Sequence, residues 1–269
     1  MVADGRNGAS RRAGMSASQR RGRRGDVAYP LAADVATPAG RGAMPRLPRL
    51  HAPGGTVHVV GRCNNREFCF TTPVDFHMLI AHVAETARTY KVTLYASTLM
   101  ANPIHLLLRA PRTDPLARPL RWFCRETTRA WQRTHGHQRH FWERRDWACL
   151  VDDDRYALAA LRYLDRNPVR AGLGDDPTAC PWSSCAAYAL GAATPLVSLH
   201  PSYLALSPYS KVRQRHYRTL LAPADDPHAD ARDPRWTTER AVGTAAFLAR
   251  YGLPGPPHGE TGGPTAQNR

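Results

Sequence analysis

His105 sits in the run Met100-Ala101-Asn102-Pro103-Ile104-His105-Leu106-Leu107-Leu108. Side chains alternate across a strand, so positions 103 and 105 share one face. Histidine at both would set two imidazoles side by side, a ready divalent-metal site for phosphate chemistry. Position 103 is proline, which leaves His105 alone, and a lone strand histidine is usually packed or hydrogen-bonded. His58 on an earlier β-branched run is a further candidate ligand, as are His135, His137 and His140. The last three share a stretch that reads as a solvated loop. The six cysteines include the pairs Cys63/Cys69 and Cys180/Cys185, neither at a common zinc spacing. No Walker-type or dinucleotide glycine loop occurs, which argues against a nucleotide-driven enzyme.

A second kind of chemistry lies in residues 121–147, RWFCRETTRAWQRTHGHQRHFWERRDW. Arg121, Arg125 and Arg129 recur every four residues and line one helical face. Trp122 and Trp131 suit a core; Trp142 and Trp147 suit either a core or a stacking platform. The formal net charge of the 269-residue chain is +15, which favours an anionic polymer, nucleic acid first. Lys91 and Lys211 are the only lysines. The arginine bias fits bidentate phosphate binding, and it equally fits a GC-rich genome. With 42% hydrophobic and 22% charged residues, a packed core is expected over much of the chain. No apolar run reaches the roughly 18–20 residues that span a bilayer, which excludes a membrane-spanning protein; an anionic membrane is the second guess for the charge after nucleic acid, and no membrane is the expected partner.

The elements that must hold these residues follow from periodicity. Residues 55–61 (GTVHVVG) read as a strand, 62–66 as a turn, and 74–90 as a helix opening after Thr71-Thr72-Pro73. Residues 92–100 and 104–110 read as a hairpin about Ala101-Asn102-Pro103. Residues 116–134 read as a helix, 147–151 as a strand, and 152–167 as a helix with Asp152, Asp153 and Asp154 in its first turn. Pro168 and Gly172 end it. This order predicts an α+β fold, a ferredoxin-like split βαβ antiparallel sheet with helices on one face and the other face open. Short helices at 181–191 and 198–221, a basic-aromatic stretch at 210–218, and a helix-turn-helix flavour at 237–251 predict a C-terminal helical extension. The expected units are 1–44, a basic arm or an upstream segment before a true start at Met44; 45–192, the main domain; 193–253, the extension; and 254–269, a Gly/Pro-rich tail.

Several phrases together resemble one family. His58-Val-Val-Gly-Arg62-Cys-Asn64-Asn65-Arg66 resembles the H-V-x-x-R-G-N-N-R opening of the REP-associated tyrosine transposases, within the single-tyrosine His-hydrophobic-His superfamily. Residues 99–108 (LMANPIHLLL) resemble their L-M-P-N-H-x-H-L-L strand. Residues 164–173 (LDRNPVRAGL) resemble their H-x-N-P-V-R-A-G-L segment, and Pro181-Trp182-Ser183-Ser184 with Tyr188 resembles the P-W-S-S that follows.

The resemblance implies recognition of single-stranded or hairpin DNA and cleavage through a 5′-phosphotyrosine link. It implies a Mg²⁺ or Mn²⁺ ion held by two strand histidines and a helix residue. By this reading His105 is a metal ligand whose partner position is Pro103, and Gln132 is a weak further ligand. Aligned on the family's second helix, its tyrosine positions fall on Thr127 and Ala130, with Tyr156 and Tyr163 as weak substitutes. Arg62, Asn64, Asn65, Arg66, Arg121, Arg125, Arg129, Arg133, Asn167 and Arg170 are the expected DNA contacts. Dimerisation is common among such relatives, so a homodimer is an open expectation. The resulting picture is a cytoplasmic, nucleoid-associated DNA-binding protein with cleavage lost or impaired. The alternatives are an active nuclease or transposase with a displaced nucleophile, and an RNA-binding protein using the open sheet face.

Overall fold

The computed structural model describes residues 50, 52–113, 115–136, 140–143, 147–152, 155–223 and 233–255. Residues 1–44 and all but the first two positions of 254–269 lie outside them, as do His137, Asp153 and Asp154.

The elements run β1 (Thr56–Gly61), α1 (Pro73–Tyr90), β2 (Thr93–Leu99), β3 (Ile104–Arg109), α2 (Ala117–His135), β4 (Trp147–Val151) and α3 (Arg155–Arg170). They continue with α4 (Cys185–Ala189), α5 (Pro201–Leu204), α6 (Ser210–Leu221), α7 (Arg235–Thr238), β5 (Ala241–Val242) and α8 (Ala245–Ala249). The sheet order is β2-β3-β1-β4-β5. The first three pairings are antiparallel, the split βαβ arrangement, and β5 joins β4 in parallel. The sheet is therefore mixed.

Local chemistry sets the boundaries. Thr72 and Asp75 form a reciprocal capping box ahead of α1, with Pro73 in its first turn. Lys91 closes that helix in the left-handed conformation at φ 52°. Helix α3 runs through Pro168 to Arg170 rather than stopping at Asn167. A proline inside a helix opens the ladder. Here the Asn167 and Arg170 side chains both donate to the Tyr163 carbonyl within that stretch, at 3.0 and 3.1 Å.

Four expectations are corrected. Helices cover both faces of the sheet. A small cavity lined by Val83, Leu106, Leu108, Leu120 and Phe123 places α1 and α2 on the face of Leu106 and Leu108. The alternate face, with Leu107, Cys149 and Val151, packs against Ala157, Leu161 and Leu164 of α3 and the tyrosines Tyr188, Tyr203 and Tyr217. Strands apolar on both sides need two covers, so the open face required by the RNA reading is closed. Second, 237–251 is not a helix-turn-helix, because β5 separates α7 from α8 and adds to the sheet. Asp152 is not in the first turn of α3. It accepts from the Thr244 amide and hydroxyl at 3.1 and 2.9 Å, which fixes the start of α8. Residues 181–184 are likewise not helical; they run beside β2, where the Ser184 amide donates to the Ser97 carbonyl at 2.8 Å. Residues past 192 share the core of α3, so they are structural partners of the sheet.

Candidate catalytic site and nucleic-acid surface

The β1–β3 register sets His58 opposite Leu107 and His105 opposite Val60. The two histidines thus share the α3 face. Their rings stack at 5.3 Å and 11°, with Nε2 of His58 3.0 Å from Nδ1 of His105. One imidazole must donate and the other accept, which favours a pair that is not doubly charged. Helix α3 sets Tyr163 edge-on to both, ring centroids 5.7 Å from His58 and 5.8 Å from His105. Trp236 of α7 closes the group, 6.2 Å from His58 and 6.0 Å from Tyr163. The exposures of 0% for His58, 1% for His105, 2% for Tyr163 and 3% for Trp236 show a cluster sealed from bulk water.

The residues behind Tyr163 come from the Asn-Pro-Val-Arg segment. Arg170 holds its guanidinium 5.4 Å from the Tyr163 ring centroid while donating to the same residue's carbonyl. Asn167 is buried with its amide on that carbonyl. Both are expected DNA contacts, and their side chains support the Tyr163 backbone. Two residues past Tyr163, Asp165 accepts from the Tyr217 hydroxyl at 2.6 Å and the Ser183 hydroxyl at 3.2 Å. Burial raises its carboxyl to about 6, against the opposing pull of those hydrogen bonds.

The α2 candidates lie elsewhere. Thr127 is fully buried in the inward row Leu120, Phe123, Thr127 and Trp131. That row packs on the Leu106/Leu108 face, across the sheet from His105. A tyrosine at 127 or 130 would not meet His105, so the alignment of the nucleophile onto α2 is not supported by the geometry. Gln132 is on this same helix. Tyr156 stands two turns before Tyr163 on α3, half-buried, with Arg155 5.2 Å from its ring centroid.

The fit to a divalent metal is poor. Among the described residues no three His, Cys, Asp or Glu side chains gather as a metal-holding group. Pro103 contributes no donor, and the facing nitrogens of His58 and His105 bond one another. Mg²⁺ and Mn²⁺ prefer oxygen-rich shells, which this apolar, aromatic pocket does not offer. His135 stacks on Trp131 at 4.2 Å and approaches Asp75 at 3.5 Å, a structural role. None of the six cysteines forms a disulfide.

The cationic surface is distinct from this cluster. Arg121, Arg125, Arg129 and Arg133 are exposed on the outer face of α2. Glu126 pairs with Arg125 at 2.8 Å and Arg129 at 3.3 Å, exposed contacts worth about 0–1 kcal/mol. The turn carrying Asn64, Asn65 and Arg66 is tied to the same side. The Asn64 amide donates to Phe141, and Trp142 donates to Cys124 of α2 at 3.1 Å. Asn65 and Arg66 hold positive φ of 53° and 57°, which turns them outward from the strand end. Arg62 is half-buried beside them, its carbonyl accepting from Glu143 at 2.8 Å. Trp131 and Trp142 are buried with Phe70 and Phe141, so they form the floor of this surface and not stacking platforms.

Residues 53–167 match the family model described as IS200-like transposase, a span that contains His58, His105 and Tyr163. No curated protein matches the chain. Among solved structures, the chain is similar to a REP-associated tyrosine transposase bound to a REP hairpin, at 18% identity and TM-score 0.49. That alignment covers 58% of this chain and 92% of the other. It is also similar to a candidate transposase from Deinococcus radiodurans R1, at 19% identity and TM-score 0.33, over 44% of this chain and 88% of that one. No helix among the described residues is long and apolar enough to cross a membrane.

Proposed function

Residues 53–167 form an IS200-like transposase domain, and we propose that the protein binds hairpin DNA on the outer face of α2, with strand cleavage impaired. The observation that carries the binding reading is the row Arg121, Arg125, Arg129 and Arg133, exposed beside the Asn64–Arg66 turn. Phosphate neutralisation by such a row supplies sequence-independent affinity. The hairpin as ligand comes from the sequence resemblance.

Two features support impaired cleavage. The family's first strand histidine is replaced by Pro103, so of that pair His105 alone stands beside Tyr163, and the cluster is buried under Trp236. A phosphodiester attack needs the phenol and the scissile phosphate in contact. With the site closed, that contact requires α7 to move.

The second reading is cleavage by Tyr163, and the edge-on packing of this tyrosine against both imidazoles favours it. An imidazole pair is a suitable acceptor for the phenol proton as the oxygen attacks phosphorus and the 3′-oxygen leaves. A fluorescent hairpin with a single-stranded flank separates the readings. Incubated with the full chain and Mg²⁺ or Mn²⁺, it forms a native complex in both. Impairment predicts only trace label retained by protein on a denaturing gel. Efficient retention of label would establish the second reading, and failure to form the native complex would defeat both.

A further inference from the structure

The basic-aromatic stretch at 210–218 is not absorbed by the α2 surface or by the Tyr163 cluster. It forms α6, which lies on the other side of the sheet from α2. Gln214, Tyr217 and Leu221 are its buried row, anchored where Tyr217 reaches Asp165. Lys211, Arg215 and Arg218 follow at i, i+4 and i+7, and all three are exposed. Arg218 also donates to the Ala189 carbonyl, which pins the helix to α4. Residues 177–223 contain no Asp or Glu, so nothing in that segment offsets these cations.

Tyr209, immediately before α6, is 71% exposed, more than the other exposed large hydrophobic side chains of the described residues. Its backbone is nevertheless fixed. The Ser207 hydroxyl accepts its amide at 3.1 Å, and its carbonyl accepts from Val212 and Arg213 at 3.1 Å each. Arg213 then clamps the preceding loop through the Ser207 and Pro208 carbonyls, at 2.7 and 3.0 Å. An exposed aromatic ring on a fixed backbone therefore stands at the N-terminal end of α6, the helix that carries Lys211 and Arg215. A solvent-facing ring at the end of a cationic helix has the features of a base-stacking platform for a single strand, since every base offers a π face.

We infer that Tyr209, Lys211 and Arg215 form a second nucleic-acid contact, which takes the single-stranded DNA flanking the hairpin held by α2. The inference rests on the DNA-binding reading above, and the experiment is chosen so that the two fail separately. Four fluorescent probes are titrated against the full chain: a blunt hairpin, the same hairpin with a flank of about 15 thymidines, oligo-thymidine alone and oligo-uridine alone. The variant is Tyr209→Ala/Lys211→Ala/Arg215→Ala, all surface positions, with folding checked by circular dichroism.

The wild type is expected to bind the flanked hairpin more tightly than the blunt one. The variant is expected to lose that advantage, about tenfold, with the blunt hairpin unaffected. Its salt dependence on oligo-thymidine falls by about 1.4 in log–log slope, for two cations at about 0.7 each. Oligo-thymidine binding that depends on α6, with no binding of the blunt hairpin, would remove the α2 reading and leave this one standing. Equal affinity of the wild type for blunt and flanked probes would overturn the inference. So would equal loss on both in the variant, or a preference for oligo-uridine over oligo-thymidine.

Discussion

Tyr163 stands edge-on to His105, ring centroids 5.8 Å apart, although 58 positions of chain and a change of element separate them. Helix α3 crosses the sheet on the side to which His58 and His105 point, and that crossing makes the meeting. If any covalent DNA adduct forms, Tyr163→Phe abolishes it, because the phenylalanine keeps the ring packing and lacks the attacking oxygen. Tyr156→Phe leaves it intact. Denaturing gels of both variants check this; an adduct surviving in Tyr163→Phe would remove Tyr163 from the chemistry.

Restoring a tyrosine at the α2 position does not restore cleavage. Thr127 is fully buried across the sheet from His105. Thr127→Tyr is expected to add no adduct and to destabilise by roughly 1–3 kcal/mol through overpacking. Urea unfolding together with the same gel assay measures both effects. A gain of adduct would show that the chain reorganises around α2.

The Asp165 carboxyl gives a pH signature. Its folded value is raised to about 6, above the ordinary carboxylate range near 3.8. The folded state therefore favours the protonated form. The associated stability is full below about pH 4 and is lost as pH rises through about 6. Asp165→Asn keeps an acceptor for Tyr217 and removes the titration. Relative to the wild type it should gain stability between pH 4 and 7, on the order of 2 kcal/mol. Thermal melts across that range test it, and a difference independent of pH would show that Asp165 is not the titrating group.

Trp236 acts as the cover of the histidine pair. Trp236→Ala should cost roughly 3–5 kcal/mol, as expected for a large buried aromatic. It should also open His58 and His105 to diethyl pyrocarbonate, from which the wild type protects them. Peptide mapping of the modified histidines reads the result; equal labelling in both proteins would mean that the cluster opens without help from α7.

Much of this molecule is legible in its sequence because its elements are short and strongly patterned. Thr71-Thr72-Pro73 announces the start of α1, and the alternation in GTVHVVG announces β1. The four-residue recurrence of Arg121, Arg125 and Arg129 announces an exposed face, which the structure bears out. What periodicity does not carry is which face of the sheet each helix takes. Thr127 and Tyr163 both sit on amphipathic helices, and only the placement of α2 and α3 on opposite faces separates them. The dipeptide Ala241-Val242 is too short to read as a strand, so β5 was hidden and 237–251 read as a helix pair. Asn167 and Arg170 look like phosphate contacts by residue type. Their position one and two turns after Tyr163 is the signal that marks them as supports of its backbone, and it becomes readable once the helix is known to continue through Pro168.

In the proposed function, the arginine face of α2 holds hairpin DNA. Fluorescence anisotropy with a hairpin probe, over a range of salt concentrations, compares the wild type with Arg121→Ala/Arg125→Ala/Arg129→Ala. The account predicts weaker binding and a log–log salt slope smaller by about 2–3, the loss of three phosphate contacts at about 0.7–0.9 each. An unchanged affinity and slope in a folded variant would contradict it.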